Sequence, residues 1–182
     1  MKITEASSLR DVAFIVCTAL DRAGITAVLT GGSAATVYAP RAYQSRDLDF
    51  VIQFRRRHSE GGAAALASLG YGLSGNFYVH RDNELTLDFP PGPLTVGGDV
   101  LAQWDTLREG ALLLHILNPT DSCRDRLAGF LFWNDQASLD QAVAVALAQQ
   151  SRVDLGRIRD WCRRERRTES FTQFRKRLRP PA

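Results

Sequence analysis

The chain has 182 residues, of which 45% are hydrophobic and 24% charged, with a formal net charge of +3. This size predicts one compact domain, or one domain with a small helical extension. No apolar run approaches the roughly 18 residues that span a bilayer, which excludes a membrane-spanning helix. The first five residues already include charge and have no small-residue cleavage site, so no signal peptide is expected. Three widely separated cysteines argue against a disulfide framework and predict a reducing compartment, the cytoplasm.

The charge is unevenly distributed along the chain. From residue 152 to the end there are 11 Lys or Arg against 4 Asp or Glu, a net of +7, whereas the first 151 residues carry a net of −4. An acidic body with a basic tail is compatible with a polyanionic substrate such as RNA. A solvated helical face explains the same charges equally well.

The first third of the sequence predicts alternating helices and strands. Apolar residues at helical spacing predict a helix over 8–23, with Ser8 and Asp11 as a capping box and Gly24 at its end. A short buried strand over 25–29 follows. A glycine turn and a short helix over 33–39 come next, and alternation predicts a strand over 47–54.

Weaker signals continue to the end of the chain. They predict a helix over 60–69, a hairpin with strands 71–80 and 84–89, a Pro- and Gly-rich loop over 90–98 and a buried strand over 111–117. Asn118 is predicted as an N-cap with Pro119 at the first helical position. Helices are predicted over 119–133, 138–149, 154–164 and 170–178. The fold class is therefore α+β: a small mixed sheet flanked by helices over 1–118, and a helical C-terminal region over 119–182 packed on it, with a basic tail.

Two short motifs carry most of the chemical information. Gly31-Gly32-Ser33 lies between a strand and a helix, where exposed backbone N–H groups can hold phosphate, although a lone turn of this kind is usually only a turn. Asp47 and Asp49 are separated by one residue on an apolar strand, so their side chains point to the same side of the sheet. Because adjacent carboxylates repel each other, the pair favours a divalent cation between them; taken alone, such a pair is often a solvated edge.

The order of these motifs resembles that of the polymerase-beta-type nucleotidyltransferase superfamily. In that pattern a Gly-Gly or Gly-Ser turn precedes an Asp-hydrophobic-Asp pair, and a third carboxylate lies on a later strand. Asp88 matches the third carboxylate best, with Glu84 on the same face and Asp82 in the adjacent turn as rivals. The resemblance is strongest over residues 25–89. The residues of the glycine turn (31–35) and of the Asp-x-Asp segment (45–50) are most similar to those of the small bacterial nucleotidyltransferases of the AbiEii/MenA type.

This resemblance implies roles for named residues. Asp47, Asp49 and Asp88 would be catalytic and would bind Mg²⁺, for which Mn²⁺ could substitute. The nucleotide would be bound by the glycine turn, by two nearby arginines, and by a basic residue and an aspartate of the later helices: Gly31, Gly32, Ser33, Arg41, Arg46, Arg126 and Asp135. An internal salt bridge between Asp125 and a nearby arginine is an equally good interpretation of the polar segment around Arg126.

The implied activity is a Mg²⁺-dependent transfer of a nucleoside monophosphate from an NTP to an acceptor hydroxyl, with release of pyrophosphate. The acceptor could be the 3′ end of tRNA, a protein hydroxyl or a small molecule. The basic tail could bind RNA, and a toxin role would add a cognate antitoxin as partner. The alternative is a catalytically inactive nucleotide-binding or partner-binding module with the same fold. Neither the three histidines nor the three tryptophans add a site: no histidine has paired metal-ligand spacing, and Trp104, Trp133 and Trp161 are predicted to be packing residues.

Overall fold

The structure is a computed structural model that describes residues 2–55 and 61–178. Its helices are α1 (Leu9–Arg22), α2 (Gly31–Tyr38), α3 (Gly62–Ser68), α4 (Pro119–Trp133), α5 (Gln136–Ala148), α6 (Leu155–Arg164) and α7 (Thr168–Arg177). Its strands are β1 (Ile25–Thr30), β2 (Asp47–Arg55), β3 (Tyr71–Ser74), β4 (Phe77–His80), β5 (Thr86–Asp88), β6 (Thr95–Val96), β7 (Asp99–Val100), β8 (Asp105–Glu109) and β9 (Leu112–Ile116).

Seven of these strands form one mixed sheet in the order β3-β4-β5-β2-β1-β9-β8, and β6 and β7 form a separate small hairpin. The central strand β1 pairs antiparallel with β2 and parallel with β9, and β2 pairs parallel with β5. Helix α1 packs on β1 and β9, and α2 packs against α4 and α5. The predicted α+β class with a helical C-terminal part is therefore confirmed.

Local signals account well for the ends of the long helices. Ser8 and Asp11 form the predicted capping box at the start of α1, with Asp11 N–H donating to Ser8 Oγ over 3.2 Å. Asn118 caps α4 as predicted and accepts from the Asp121 N–H over 3.0 Å, with Pro119 at the first position. Each cap satisfies backbone donors that the first helical turn leaves unpaired. Among the described residues, no helix is long and apolar enough to cross a bilayer.

The sheet edges differ from the predicted ones. Residues 71–80, predicted as one strand, form the two-stranded hairpin β3-β4, because Gly75 adopts a left-handed φ of +60° and turns the chain. The predicted antiparallel pairing between segments 71–80 and 84–89 is confirmed by β4, which pairs antiparallel with β5. The loop predicted over 90–98 contains β6, and β8 was not predicted. Much of β8 is exposed and polar, so it lacks an apolar alternation. Glu60, the predicted start of α3, lies outside the described residues.

The hydrophobic core lies between the sheet and the helices on its faces. Its largest fully buried side chains include Phe14 of α1, Phe50 of β2, Trp161 of α6 and Phe174 of α7. The C-terminal helices therefore contribute side chains to the same continuous core as the sheet. The three cysteines are buried and free, in agreement with the predicted absence of a disulfide framework.

Candidate functional site

Three carboxylates lie together on one face of the central sheet. Asp47 and Asp49 are two residues apart on β2, and strand alternation places both side chains on the same face. Asp88 of β5 lies directly beside Asp49, because the two strands run parallel with these residues in register. The structure thus brings the three acidic residues singled out in the sequence to one place.

The charges of this acidic cluster (Asp47, Asp49 and Asp88) act on one another. The pKa of Asp49 is raised to about 6, first by burial and then by the negative charges of Asp47 and Asp88. Arg126 lowers this pKa and Asp125 raises it, which places the start of a polar segment of α4 within electrostatic reach of the cluster. A cation bound here would relieve the repulsion.

The donor set fits a hard divalent cation, which prefers carboxylate oxygens. Two of the three carboxylates already have partners within the protein. Ser45 Oγ donates to Asp47 Oδ1 over 2.7 Å, and the Phe89 N–H donates to Asp88 Oδ1 over 2.8 Å. Within residues 2–55 and 61–178, no three His, Cys, Asp or Glu side chains converge as metal ligands.

The glycine turn lies immediately beside this cluster. Gly31 begins α2 directly after β1, with a left-handed φ of +67°, and its Cα faces the Asp49 carboxylate. Ser33 is fully buried: its hydroxyl donates to the Thr30 carbonyl over 2.7 Å and accepts from the Asp49 N–H over 3.3 Å. Ser33 therefore ties the turn to the strand that carries Asp49, and its contact with phosphate stays a prediction.

Sequence reasoning missed Gln141 of α5, which lies over the glycine turn. A Cβ on Gly32 would lie 3.6 Å from Gln141 Oε1 and 3.2 Å from the ring of Tyr43. Gln141 Oε1 is buried and has no hydrogen-bond partner among the described residues. No local motif marks this residue, because only the packing of α5 on α2 brings it to the turn.

Arg126 and Asp135 line a groove of about 660 Å³ next to the acidic cluster. The groove is formed by the β6-β7 turn, one face of α4 and the start of α5. Its lining residues are Thr95, Val96, Gly97, Asp125, Arg126, Ala128, Gly129, Phe132, Trp133, Asp135 and Ser138. Arg126 lines the groove, and its positive charge lowers the pKa of both Asp49 and Asp135.

Both groove residues also have structural contacts. Arg126 pairs with its neighbour Asp125 over 2.8 Å, which is the salt bridge that the sequence left as an alternative. Asp135 is the N-cap of α5 and accepts from the Ala137 N–H over 3.0 Å and from Ser138 Oγ over 2.6 Å. The hydrogen bond from Ser138 is the main reason why the pKa of Asp135 is lowered.

The structure does not bring Arg41 to the acidic cluster. Helix α2 has eight residues and a length of about 12 Å; Gly31 begins it and Arg41 follows its other end. Arg41 lines a separate, mainly apolar cavity of about 590 Å³ between α2 and α5. Arg46 directly precedes Asp47, its side chain is exposed, and its carbonyl accepts from the Thr86 N–H over 3.3 Å.

The prediction for the tryptophans was wrong at one position. Trp161 is fully buried and Trp104 half-buried, whereas 77% of Trp133 is exposed, at the rim of the groove. Trp133 is the last residue of α4, and this end of the helix extends beyond the core. Two of the three histidines have hydrogen-bond partners within the protein: His80 contacts the Leu69 carbonyl and His115 contacts Thr106, both over 2.8 Å.

Many cations of the basic tail are paired with acidic residues from earlier in the chain. The pairs are Arg152 with Asp105, Arg157 with Asp121, Arg164 with Asp99, and Arg177 with Asp140. The opposite charges of the two parts of the chain therefore partly neutralise each other. In the described part of the chain, Arg166, Arg167, Arg175 and Lys176 form no ion pair, which leaves them available to an external anion.

The acidic cluster lies beside the buried glycine turn. Asp125 and Arg126 line the groove, and their charges reach Asp49. Comparison of the chain with protein-family models, with curated proteins and with solved structures yields no match.

Proposed function

We propose that the chain is a metal-dependent nucleotidyltransferase that moves a nucleoside monophosphate from an NTP to an acceptor hydroxyl. The observation that carries this proposal is the in-register pairing of Asp49 and Asp88 beside the left-handed turn at Gly31. In the reaction the acceptor oxygen bonds to the α-phosphorus, the bond from that phosphorus to the bridging oxygen breaks, and pyrophosphate leaves.

The residues of the site support distinct parts of this reaction. Asp47, Asp49 and Asp88 would hold Mg²⁺, or Mn²⁺ in its place, and the cation supplies positive charge to the phosphoryl oxygens. Asp88, on the neighbouring strand, would accept the proton of the acceptor hydroxyl. At the start of α2 the N–H groups of Gly31, Gly32 and Ser33 lack intrahelical partners and are the donors for the β- and γ-phosphates.

Arg126 is the arginine best placed to pair with a phosphate. Its charge reaches Asp49, and its present partner is the adjacent Asp125, at a half-buried position. A guanidinium pairs bidentately with phosphate, so a nucleotide would compete with Asp125 for it. Arg46 is a second source of positive charge at the start of β2, whereas Arg41 lies at the far end of α2.

We propose RNA as the acceptor on the strength of the tail cations that have no acidic partner among the described residues. A protein hydroxyl remains the competing acceptor. A toxin role with a cognate antitoxin comes only from the resemblance of residues 25–89. A cytoplasmic location is proposed from the three free, buried cysteines.

The alternative is a module that binds a nucleotide or a partner without catalysis. It is favoured by the bond from the Phe89 N–H to Asp88 and by the lack of three converging metal ligands among the described residues. In that case the acidic cluster would bind a cation weakly, and no transfer would follow.

Labelled-NTP transfer separates these two functions. The protein is incubated with each α-labelled NTP and with Mg²⁺ or Mn²⁺, and label is measured on total RNA and on total cell protein. Because metal coordination contributes several kcal/mol, Asp47→Asn, Asp49→Asn and Asp88→Asn should each lower transfer by more than about 100-fold. Asp82→Asn, in the exposed turn after β4, is the matched control and should be active. Absence of transfer to both pools, with Mg²⁺-dependent NTP binding retained, would establish the alternative.

A further inference from the structure

One face of α4 connects the acidic cluster to the far end of the groove. Arg126, Gly129 and Trp133 follow one another at spacings of three and four residues, which places them on the same side of the helix. Arg126 and Trp133 are about 10 Å apart along the helix axis. This is comparable to the distance between the phosphate and the base of one nucleotide.

Gly129, in the middle of this helix face, is packed closely against the start of α5. A Cβ at this position would lie 2.7 Å from Ser138 Oγ and 3.9 Å from Asp135 Oδ2. The absence of a Cβ lets the start of α5 approach α4 closely, and this places the Asp135 carboxylate next to Gly129, between Arg126 and Trp133 along the groove.

Trp133 is an unusual residue to find exposed at this place. It is 77% exposed, and Phe132 packs edge-on against it with ring centroids 6.0 Å apart, which fixes an aromatic surface at the rim. A large exposed aromatic side chain beside a groove marks a binding surface more often than an isolated exposed leucine does. The aromatic face of Trp133 and the guanidinium of Arg126 lie at opposite ends of this helix face, with the Asp135 carboxylate between them. The two ends of the groove therefore suit different parts of one ligand.

We propose that this groove binds the base of the donor nucleotide, with Trp133 stacking on the base and Asp135 accepting a hydrogen bond from its exocyclic amino group. This inference rests on the nucleotidyltransferase function proposed above, which places the phosphates between Arg126 and the acidic cluster. Stacking on an aromatic side chain is available to every base, so Trp133 supplies affinity. A carboxylate accepts hydrogen bonds from amino groups of bases, so Asp135 supplies selectivity.

Asp135 can serve as an acceptor while it caps α5. Each carboxylate oxygen has two acceptor sites, and each uses one of them, for the Ala137 N–H and for Ser138 Oγ. The bond from Ser138 also lowers the pKa of Asp135, so the side chain is a pure acceptor at neutral pH. Cytosine presents an amino group at ring position 4 and uracil a carbonyl oxygen at the same position. The groove should therefore favour cytosine over uracil, and more generally bases that carry an amino group.

The test compares binding of α,β-methylene-CTP and α,β-methylene-UTP by calorimetry in the presence of Mg²⁺. These analogues cannot release pyrophosphate, so binding is measured without transfer. The wild-type protein should bind the CTP analogue about tenfold more tightly. Trp133→Ala should weaken binding of both analogues about tenfold, and Trp133→Phe should keep most of the affinity because it keeps a stacking ring. Leu147→Ala, at a 45% exposed apolar residue of α5 outside the groove, is the control and should bind like the wild type.

Asp135→Asn is the decisive variant. Asparagine is as good an N-cap as aspartate, so α5 keeps its start, while the new amide N–H₂ donates to the uracil carbonyl. The preference for the CTP analogue should fall to about one or invert, an effect that a purely structural role of Asp135 would not produce.

Equal binding of the two analogues by the wild type, or an unchanged ratio in Asp135→Asn together with wild-type affinity in Trp133→Ala, would overturn the inference. Either result is compatible with successful transfer in the labelled-NTP experiment, so the groove assignment can fail while the proposed function stands. If transfer fails and the Asp135→Asn ratio still shifts, the groove binds a nucleotide base in a non-catalytic module.

Discussion

Gly31 and Asp49 are in direct contact across the start of α2. A Cβ built on Gly31 would lie 2.3 Å from Asp49 Oδ2, closer than side-chain atoms approach each other in folded proteins. Gly31 also has a φ of +67°, a conformation that costs roughly 1–2 kcal/mol for a residue with a side chain. Glycine is therefore required at this position for two separate reasons, the backbone conformation and the space occupied by the Asp49 carboxylate.

Gly31→Ala should separate these two requirements when compared with Gly110→Ala. Gly110 has a similar φ of +57° and no atom within 4 Å of the Cβ that would be added. The control should lower the free energy of unfolding by about 1 kcal/mol, the cost of the backbone conformation. Gly31→Ala should cost about 1–3 kcal/mol more, because it overpacks the buried turn, and should displace Asp49.

Urea unfolding measures both variants, and NTP binding measures the displacement of Asp49. Equal losses of stability for the two variants, with NTP binding unchanged in Gly31→Ala, would contradict the contact between Gly31 and Asp49.

The fold was predictable wherever a local signal determines an element. The capping box of Ser8 and Asp11 and the N-cap Asn118 are encoded within four residues, and the structure has both helix starts. The edge strands were harder to predict. The reversal between β3 and β4 does have a local signal, the two-residue turn Gly75-Asn76. β8 has none, because it pairs with β9 through its backbone while its side chains remain largely exposed.

The candidate site was predictable only in its local motifs. Alternation along β2 places Asp47 and Asp49 on one face, whereas the position of Asp88 depends on the parallel pairing of β5 with β2. Gln141 and Trp133 could not be assigned from the sequence, because each acquires its place through the packing of α5 and α4. The net charge of the tail also overstates the positive charge that is available to an external anion. Several tail arginines pair with earlier acidic residues, and this pairing depends on the tertiary fold.

Burial of Asp49 should make the stability of the metal-free protein depend on pH. The folded-state pKa of about 6 is higher than the value of about 3.9 expected in the unfolded chain, so the folded state holds this proton more tightly. Stability from this group is complete below pH 4 and is lost as the pH rises through 6. Asparagine is neutral at every pH, so Asp49→Asn avoids the cost of burying a charged carboxylate. In EDTA this variant should be more stable than the wild type by about 1–2 kcal/mol at pH 7.5, after allowance for solvent screening. At pH 4 the two proteins should be equally stable.

Thermal and urea unfolding across pH 4–8 measure this difference, with the exposed Asp82→Asn as a control that should follow the wild type. A constant offset between Asp49→Asn and the wild type over the whole range would show that Asp49 does not titrate as its surroundings require.

Arg124 holds α4 to α6 and to the β6-β7 hairpin through buried charge. Its side chain is only 4% exposed; it pairs with Asp121 over 2.7 Å and with Asp99, and its guanidinium lies 5.2 Å from the centre of the Trp161 ring. Asp121→Ala should therefore lower the free energy of unfolding by about 3 kcal/mol, because it leaves a buried guanidinium without its buried partner.

Asp140→Ala is the matched control for this pair. It removes the exposed ion pair with Arg177 and should cost less than about 1 kcal/mol. Urea unfolding of both variants measures the two costs, and similar values would mean that burial does not distinguish the two ion pairs.

If RNA is the acceptor, the tail cations without acidic partners should carry most of the salt dependence of its binding. Arg175 and Lys176 are exposed and form no ion pair among the described residues, whereas Arg152 and Arg177 are paired with Asp105 and Asp140. The double variant Arg175→Gln/Lys176→Gln should reduce the slope of log K against log[salt] by about 1.4 for a single-stranded oligonucleotide, since each phosphate contact contributes about 0.7.

The control variant Arg152→Gln/Arg177→Gln removes the same formal charge. It should change the slope by much less, because these charges are already neutralised within the protein. Fluorescence anisotropy at 50–300 mM salt, a range chosen around the roughly physiological ionic strength, measures both slopes. Equal slopes for the two double variants would show that RNA does not distinguish paired from unpaired tail cations, and the acceptor proposal would then lose the observation on which it depends.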